Sequence, residues 1–396
     1  MKKILIVTEY FYPVDNSTSY YLTKKLAENN EVICNTNLDD NIDNLNIIRS
    51  KEVQLSKNNI ITRSLKFLIS SIKLSILTSK SIKNNTEVLS VTNPAFIIIF
   101  LSFLKKIKKF NYKLIVFDVF PENLIASNIL KKKSFFYKII KKIYDWSYLK
   151  ANQLIVIGRD MEDVIKEKTN NNVPITLIEN WCDYQDVLPT KKINNKILKN
   201  LNILDKKVFL FAGNLGRVQG IENILQSVEL IDKEDFIFLF IGDGAMKNTI
   251  LQHIVNSKKK NVIYGGSFPM SQQLGIETRP FFFPMSQQNL FLNACDVSVV
   301  SLADFMYGLG VPSKTYFNMA AAKPILYIGD KNSEIARVIN ENKIGWIVEN
   351  SNPKALSQII TKIIDDFANY ENIGFKSRKV LEQNYSQEII LNKYKK

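Results

Sequence analysis

Histidine occurs once in this chain of 396 residues and cysteine three times. His253 stands alone in a polar helical stretch, TILQHIVNSKKK, which excludes a histidine-based triad and a histidine metal cage. Cys34, Cys182 and Cys295 are scattered without metal-ligand spacing and read as buried small apolar residues of a reducing compartment. No metal is expected. No apolar run is long enough to span a bilayer: the longest, AFIIIFLSFL at residues 95–104, stops far short of the roughly 20 residues required. The opening MKKILIVTEYFYP continues as a strand rather than as a cleavable leader. Walker and GxGxxG spacings are absent. Arginine is scarce, which leaves little for base-edge readout and places nucleic acid low among partners.

What is present is an ordinary globular composition, 46% apolar and 23% charged, with length enough for two or three domains and a large core. The net charge of +15 is concentrated. Residues 61–150 hold seventeen Lys/Arg against four Asp/Glu, a net of +13. These cations interleave with apolar and aromatic residues: RSLKFLISSIKLSIL, FLSFLKKIKKF and LKKKSFFYKIIKKIYDWSYLK. In the last, Phe135, Ile139, Ile143 and Trp146 recur at helical spacing, with Lys138, Lys141 and Lys142 on other faces. A basic amphipathic helix rich in aromatics fits an anionic membrane surface.

Short apolar strands alternate with amphipathic helices from end to end, the signature of parallel sheets. The series KILIVTEY to IENW is followed by a polar Lys/Asn-rich stretch and then restarts at KVFLFAGNLG. The chain is therefore read as α/β, with two doubly wound Rossmann-like domains: 1–187, a linker at 188–205, 206–375, and a C-terminal helix at 376–396 that crosses back to the first domain. FPMSQQ occurs at residues 268–273 and again at 283–288, which reads as a local duplication that lengthens one loop.

In open parallel sheets ligands bind beyond the carboxyl ends of strands, so chemistry is sought there. After KVFLFA comes Gly213-Asn214-Leu215-Gly216-Arg217-Val218-Gln219-Gly220. Its glycines allow close backbone approach to an anion, and Arg217 can fork onto phosphate oxygens. Gly242-Asp243-Gly244 follows FIFLFI. GLGVPSKTYFNMAAAKP, residues 308–324, reads as a loop opening into a helix with Ser313 as N-cap and Lys314 at its positive end, a place for phosphate. A diphosphate between Arg217 and Lys314 is the expectation these loops share.

As a set, FAGNLGRVQGIENIL, FLFIGDGAMKN, NVIYGGSF, ACDVSVVSL, MYGLGVPSKTYFNMAAAKPILYIG and NYSQEIILNKY, with TEYFYPVDNSTSYYLTKKLAE, VTNPAF, FDVFPENL, LIVIGRDM and IENWCD before them, resemble the retaining family-four glycosyltransferases. MYGLGVPSKTY is similar to an O-antigen, capsule and colanic-acid subgroup that includes N-acetylfucosamine transferases. The resemblance implies the glycosyltransferase-B architecture, two domains facing a cleft. It also implies a UDP-linked sugar donor held by the C-terminal domain, and a polyprenyl-diphosphate-linked glycan acceptor at the inner face of the cytoplasmic membrane.

Carried over by position, Gly213, Asn214, Gly216, Arg217, Ser313 and Lys314 surround the diphosphate, while Gly242, Asp243, Ser267 and Phe268 lie by the nucleobase. Asn16, Ser17, Thr18, Glu122 and Arg159 face the acceptor. Arg217, Lys314 and Asp118 are the expected catalytic residues, and no cofactor or metal is required. The chain departs from the pattern where relatives often carry a glutamate pair, here Leu309 and Phe317. Others often have Arg and Lys at the positions of Asn214 and Gln219, and a histidine where Phe117 precedes Asp118. A non-hydrolysing UDP-sugar epimerase shares the architecture but relies on cleft histidines, which one His253 does not supply. A degenerate nucleotide- or lipid-binding partner is the non-enzyme alternative.

Overall fold

The structure, a computed structural model, describes residues 3–9, 11, 18–27, 31–34, 46–50, 53, 55, 60–83, 85–266 and 285–395. The chain divides into two compact units, Met1–Glu179 with Gly308–Val311 and Leu391–Lys396, and Asn180–Tyr307 with Pro312–Ile390.

The first unit carries a parallel sheet of β1 (Lys3–Thr8), β2 (Glu31–Cys34), β3 (Asn46–Ile48), β4 (Thr86–Val91), β5 (Asn111–Val116), β6 (Gln153–Val156) and β7 (Ile175–Leu177), in the order β3-β2-β1-β4-β5-β6-β7. Its helices are α1 (Thr18–Leu26), α2 (Ile60–Ser81), α3 (Ile97–Ile107), α4 (Glu122–Ala126), α5 (Phe135–Tyr148) and α6 (Arg159–Thr169).

The second unit repeats the plan with β8 (Lys207–Ala212), β9 (Phe236–Ile241), β10 (Val262–Tyr264), β11 (Val297–Ser301), β12 (Ile325–Ile328) and β13 (Gly345–Val348), ordered β10-β9-β8-β11-β12-β13. Around it run α7 (Lys196–Asn200), α8 (Ile221–Glu229), α9 (Lys247–Asn256), α10 (Met285–Leu292), α11 (Lys314–Ala320), α12 (Glu334–Asn342), α13 (Pro353–Asp365), α14 (Glu371–Asn384) and α15 (Gln387–Lys393). Both sheets are doubly wound, with strand order reversing between β1 and β4 and between β8 and β11.

Central strands are buried on both faces because helices cover both, and β9, FIFLFI, is apolar and buried at every position. Phe209, Phe211, Phe238 and Phe240 stack across β8 and β9 and meet Ile224, Val228 and Ile360 from the helices. Each such ring removed from water contributes about 1.5–3 kcal/mol.

The division differs from the expected boundaries. The first unit ends at Glu179, and residues 188–205 are no linker but fold with the second unit. Asparagines provide the reason. Asn195 caps α7, accepting from Ile197 and Leu198 N–H, and its Nδ2 donates to the Leu290 carbonyl. Asn293 accepts from Thr190 N–H and donates to the Leu188 carbonyl. Helix α14 also stays in the second unit, and only Leu391–Lys396 fall in the first.

Candidate functional site

Two turns knit together at the carboxyl ends of β8 and β9. Gly213 leaves β8 at φ +119°, and Gly242 leaves β9 at φ +144°. A Cβ on Gly242 would stand 1.8 Å from the Gly213 carbonyl oxygen, so no other residue fits there. Leu215 N–H donates to the Asp243 carbonyl (2.9 Å), and Met246 N–H to the Leu215 carbonyl (2.9 Å). Leu215 is fully buried, which fixes the loop from beneath. Above it Asn214 and Arg217 are exposed. Among the described residues no carboxylate pairs with Arg217.

The loop after β11 joins this platform. Ala303 N–H donates to the Val218 carbonyl (2.8 Å). Lys314 Nζ donates to Gln219 Oε1 (3.0 Å) and lies 3.6 Å from the centroid of the Phe211 ring. Among the described residues no carboxylate bonds it. Burial of the uncompensated ammonium pushes its pKa down to about 7. The ring face offsets about 0.5–2 kcal/mol of that cost.

The expected cap is corrected. Ser313 sits in helical backbone (φ −60°, ψ −29°), is exposed, and its side chain caps nothing. A tight turn takes the first amides instead, Thr315 N–H to the Pro312 carbonyl and Tyr316 N–H to the Ser313 carbonyl. The positive character of this corner therefore rests on Lys314 more than on free helix N–H groups. Asp243 is likewise committed locally, its Oδ1 accepting from Gly244 N–H (2.9 Å) with Lys247 Nζ 3.8 Å away.

In the first unit Asp118 follows β5. Phe117 and Asp118 N–H both donate to Thr92 Oγ1 (3.1 and 3.2 Å). Asp118 pairs with Gly310 in an antiparallel bridge, and Val119 N–H donates to the Leu309 carbonyl (3.1 Å). Its carboxyl keeps a solvent-accessible face, yet the mass of protein around it desolvates the charge and pushes its pKa up to about 6. Gly308 N–H donates to Asp160 Oδ2 (3.3 Å). Leu309, where relatives often carry a glutamate, is buried.

Glu122 is taken up elsewhere: Lys168 Nζ donates to both of its oxygens (2.7 and 2.9 Å) and Lys141 Nζ lies 3.3 Å away. That engagement fixes the carboxylate against α5 and α6. Arg159 opens α6 and Thr18 opens α1, both half-buried. Asn16, Ser17, Ser267, Phe268 and the first FPMSQQ copy lie outside the described residues. The second copy ends inside α10.

The strand ends also form a cavity of ≈ 100 Å³, lined among others by Asp304, Phe305, Tyr307, Tyr327, Asp330 and Glu349. Phe305 is held at φ +67°, a strained value for a bulky residue. The sequence reading missed this cavity, although its signal is present: SLAD, YIGD and IVEN each set a carboxylate one to three residues past a strand. Among the described residues no group of three or more His, Cys, Asp or Glu is placed to hold a metal.

Known proteins share this arrangement. The family profile "Glycosyl transferases group 1" matches residues 193–380. "Probable glycosyltransferase WbjE" of Pseudomonas aeruginosa is 34% identical over 411 residues, covering 100% of this chain and 97% of the relative. Among solved structures, Anabaena Alr3699/HepE in complex with UDP-glucose aligns with TM-score 0.72 at 12% identity, over 99% of this chain and 98% of that one. WaaG, a glycosyltransferase involved in lipopolysaccharide biosynthesis, aligns at TM-score 0.66 and 9% identity over 98% of each chain. At these identities the two structures share the fold, the glycosyltransferase-B arrangement of two Rossmann-like halves.

Proposed function

The chain belongs to the glycosyl transferases group 1, and from that premise we propose that it moves a sugar, with retention, from a UDP-linked donor to a lipid-linked glycan during assembly of a bacterial surface polysaccharide. One observation carries the donor assignment. Lys314 is a half-buried ammonium with no carboxylate partner among the described residues, set against the glycine loop after β8. A cation in that state gains most from an anion, and a diphosphate supplies two charges.

Glycosyl transfer places growing negative charge on the departing nucleoside diphosphate. Lys314 and Arg217 are suited to stabilise it there, because fixed charges act strongly in a partly dehydrated site. Gly213 and Gly242 give the diphosphate a surface without side chains. Asp118, largely ionised at neutral pH, takes the acceptor side by holding a hydroxyl. HepE, solved with UDP-glucose, supports the choice of nucleotide, and WaaG supports the class of pathway.

The epimerase reading is disfavoured by the histidine count: the single histidine, His253, lies on α9 with its Nε2 3.2 Å from Glu229 Oε1. Hydrolysis and transfer measured across UDP- and GDP-sugars, with and without a lipid-linked acceptor, decide among the readings. Lys314→Ala and Arg217→Ala are each expected to lower transfer at least about tenfold, or about 1.4 kcal/mol. Near-wild-type turnover in both removes the diphosphate assignment. Donor binding without turnover of any sugar turns the protein into a binding partner.

A further inference from the structure

Two helices of the first unit are inside out. Helix α2 buries Ser70, Ser71, Leu74 and Thr78 and exposes Ile61, Leu65, Ile72 and Ile76, the last by 50%. Two of its buried hydroxyls bond within the helix, Ser71 Oγ donating to the Phe67 carbonyl and Thr78 Oγ1 to the Leu74 carbonyl, while Ser70 Oγ is buried with no hydrogen-bond partner among the described residues. Helix α5 buries Tyr137, Tyr144, Ser147 and Tyr148. Its apolar stripe, Phe135, Ile139 and Ile143, points outward, led by Phe135 and Phe136 at 72% exposure each. Helix α3 packs against both and ends in exposed Phe103 and Ile107. Phe103 meets Trp146 of α5 at 4.7 Å between ring centroids, and Lys106 and Lys150 lie over the same indole.

We infer that α2, α3 and α5 form one face that lies on an anionic lipid bilayer, with Phe135 and Phe136 entering the acyl boundary. Charge complementarity selects this occupant. Lys131, Lys132, Lys133, Lys138 and Lys142 flank the α5 stripe and are exposed. The segment 61–150 that builds the face carries +13. A second copy docked on the same face would set that charge against itself. A nucleic acid would satisfy the lysines, but it has no use for an outward row of isoleucines and leucine on α2. Acyl chains under anionic headgroups satisfy both. Among the described residues no helix is long and apolar enough to cross a membrane, so the face lies on the bilayer rather than through it. The inference is independent of the donor reading.

Flotation of the full chain with phosphatidylglycerol/phosphatidylcholine vesicles tests it, with circular dichroism to verify folding. Expected results are capture by anionic vesicles, at least about tenfold weaker partitioning in 0.5 M salt, and a similar loss in Phe135→Ser/Phe136→Ser. Ile72→Ser/Ile76→Ser, far from that pair in the chain, should weaken capture as well. Equal capture by neutral vesicles, or no effect of either double substitution, overturns the inference. So does absence of flotation combined with a dimer that these substitutions dissolve, or with RNA binding that they leave untouched.

Discussion

Helix α8 in the second unit buries Ile221, Ile224, Leu225 and Val228 and turns Glu222, Gln226 and Glu229 to solvent. Helix α2 in the first unit does the opposite, burying serines and threonine while isoleucines and a leucine face out. Both have the same 3.6-residue period. Periodicity thus identifies a face of a helix without saying which phase lies against it. Solvent, sheet and membrane are three different answers to one pattern. What separates α2 and α5 from α8 is the company of the stripe: lysines beside apolar residues in one unit, acids and amides in the other.

The contrast can be broken most sharply by cutting the two stripes. Ile224→Ala should cost about 2–5 kcal/mol in denaturant unfolding, because it empties a fully buried site. A loss under 1 kcal/mol would erase the distinction from the side of α8.

A second test separates the duties of the two units. Lys314→Ala should lower transfer at least about tenfold, while Phe135→Ser/Phe136→Ser should leave hydrolysis of a soluble donor within about twofold. Equal effects of both on that soluble reaction would join what the comparison divides.

The third concerns pH. The folded Lys314 releases its proton near pH 7, whereas the unfolded side chain holds it to about 10.5. Between those values the unfolded state binds more protons, so this residue makes stability rise with pH, and Lys314→Gln should flatten that slope. Diphosphate binding needs the charge, so UDP affinity should fall severalfold from pH 7 to 9 in the wild type and stay level in Lys314→Arg. Titration calorimetry at several pH values reads both. The smallest effect is Ile72→Ala, expected within about 0.5 kcal/mol of wild type in unfolding, as for an exposed side chain. A cost of 2 kcal/mol would mean that α2 is packed after all.

Much of this was legible in the sequence. Strand runs such as FIFLFI and the helices between them fix two parallel sheets, because only layers covered on both sides tolerate strands without a polar face. The loops after β8 and β11 were also found from residue type and place, and Lys314 does reach across to Gln219. Ser313 was misread because capping depends on backbone dihedrals, which Pro312 and the following tight turn decide. Residues 188–205 looked like a linker because their bonds run to Leu290 and Asn293, about a hundred positions away, and no local pattern carries that. The ion pair between Glu122 and Lys168, forty-six positions apart, likewise has no local signal.

The four residues Gly308–Val311 belong to the first unit although the chain on both sides of them belongs to the second. Gly308 sits at φ +67°, and a Cβ there would stand 2.5 Å from the Asp160 carbonyl oxygen. For anyone recombining halves of related transferases, the inheritable piece is therefore discontinuous. A crossover at 179/180 alone separates Asp160 from the glycine it requires. A chimera that moves residues 308–311 and 391–396 together with 1–179 keeps each half's internal partners, and is the exchange expected to yield folded protein.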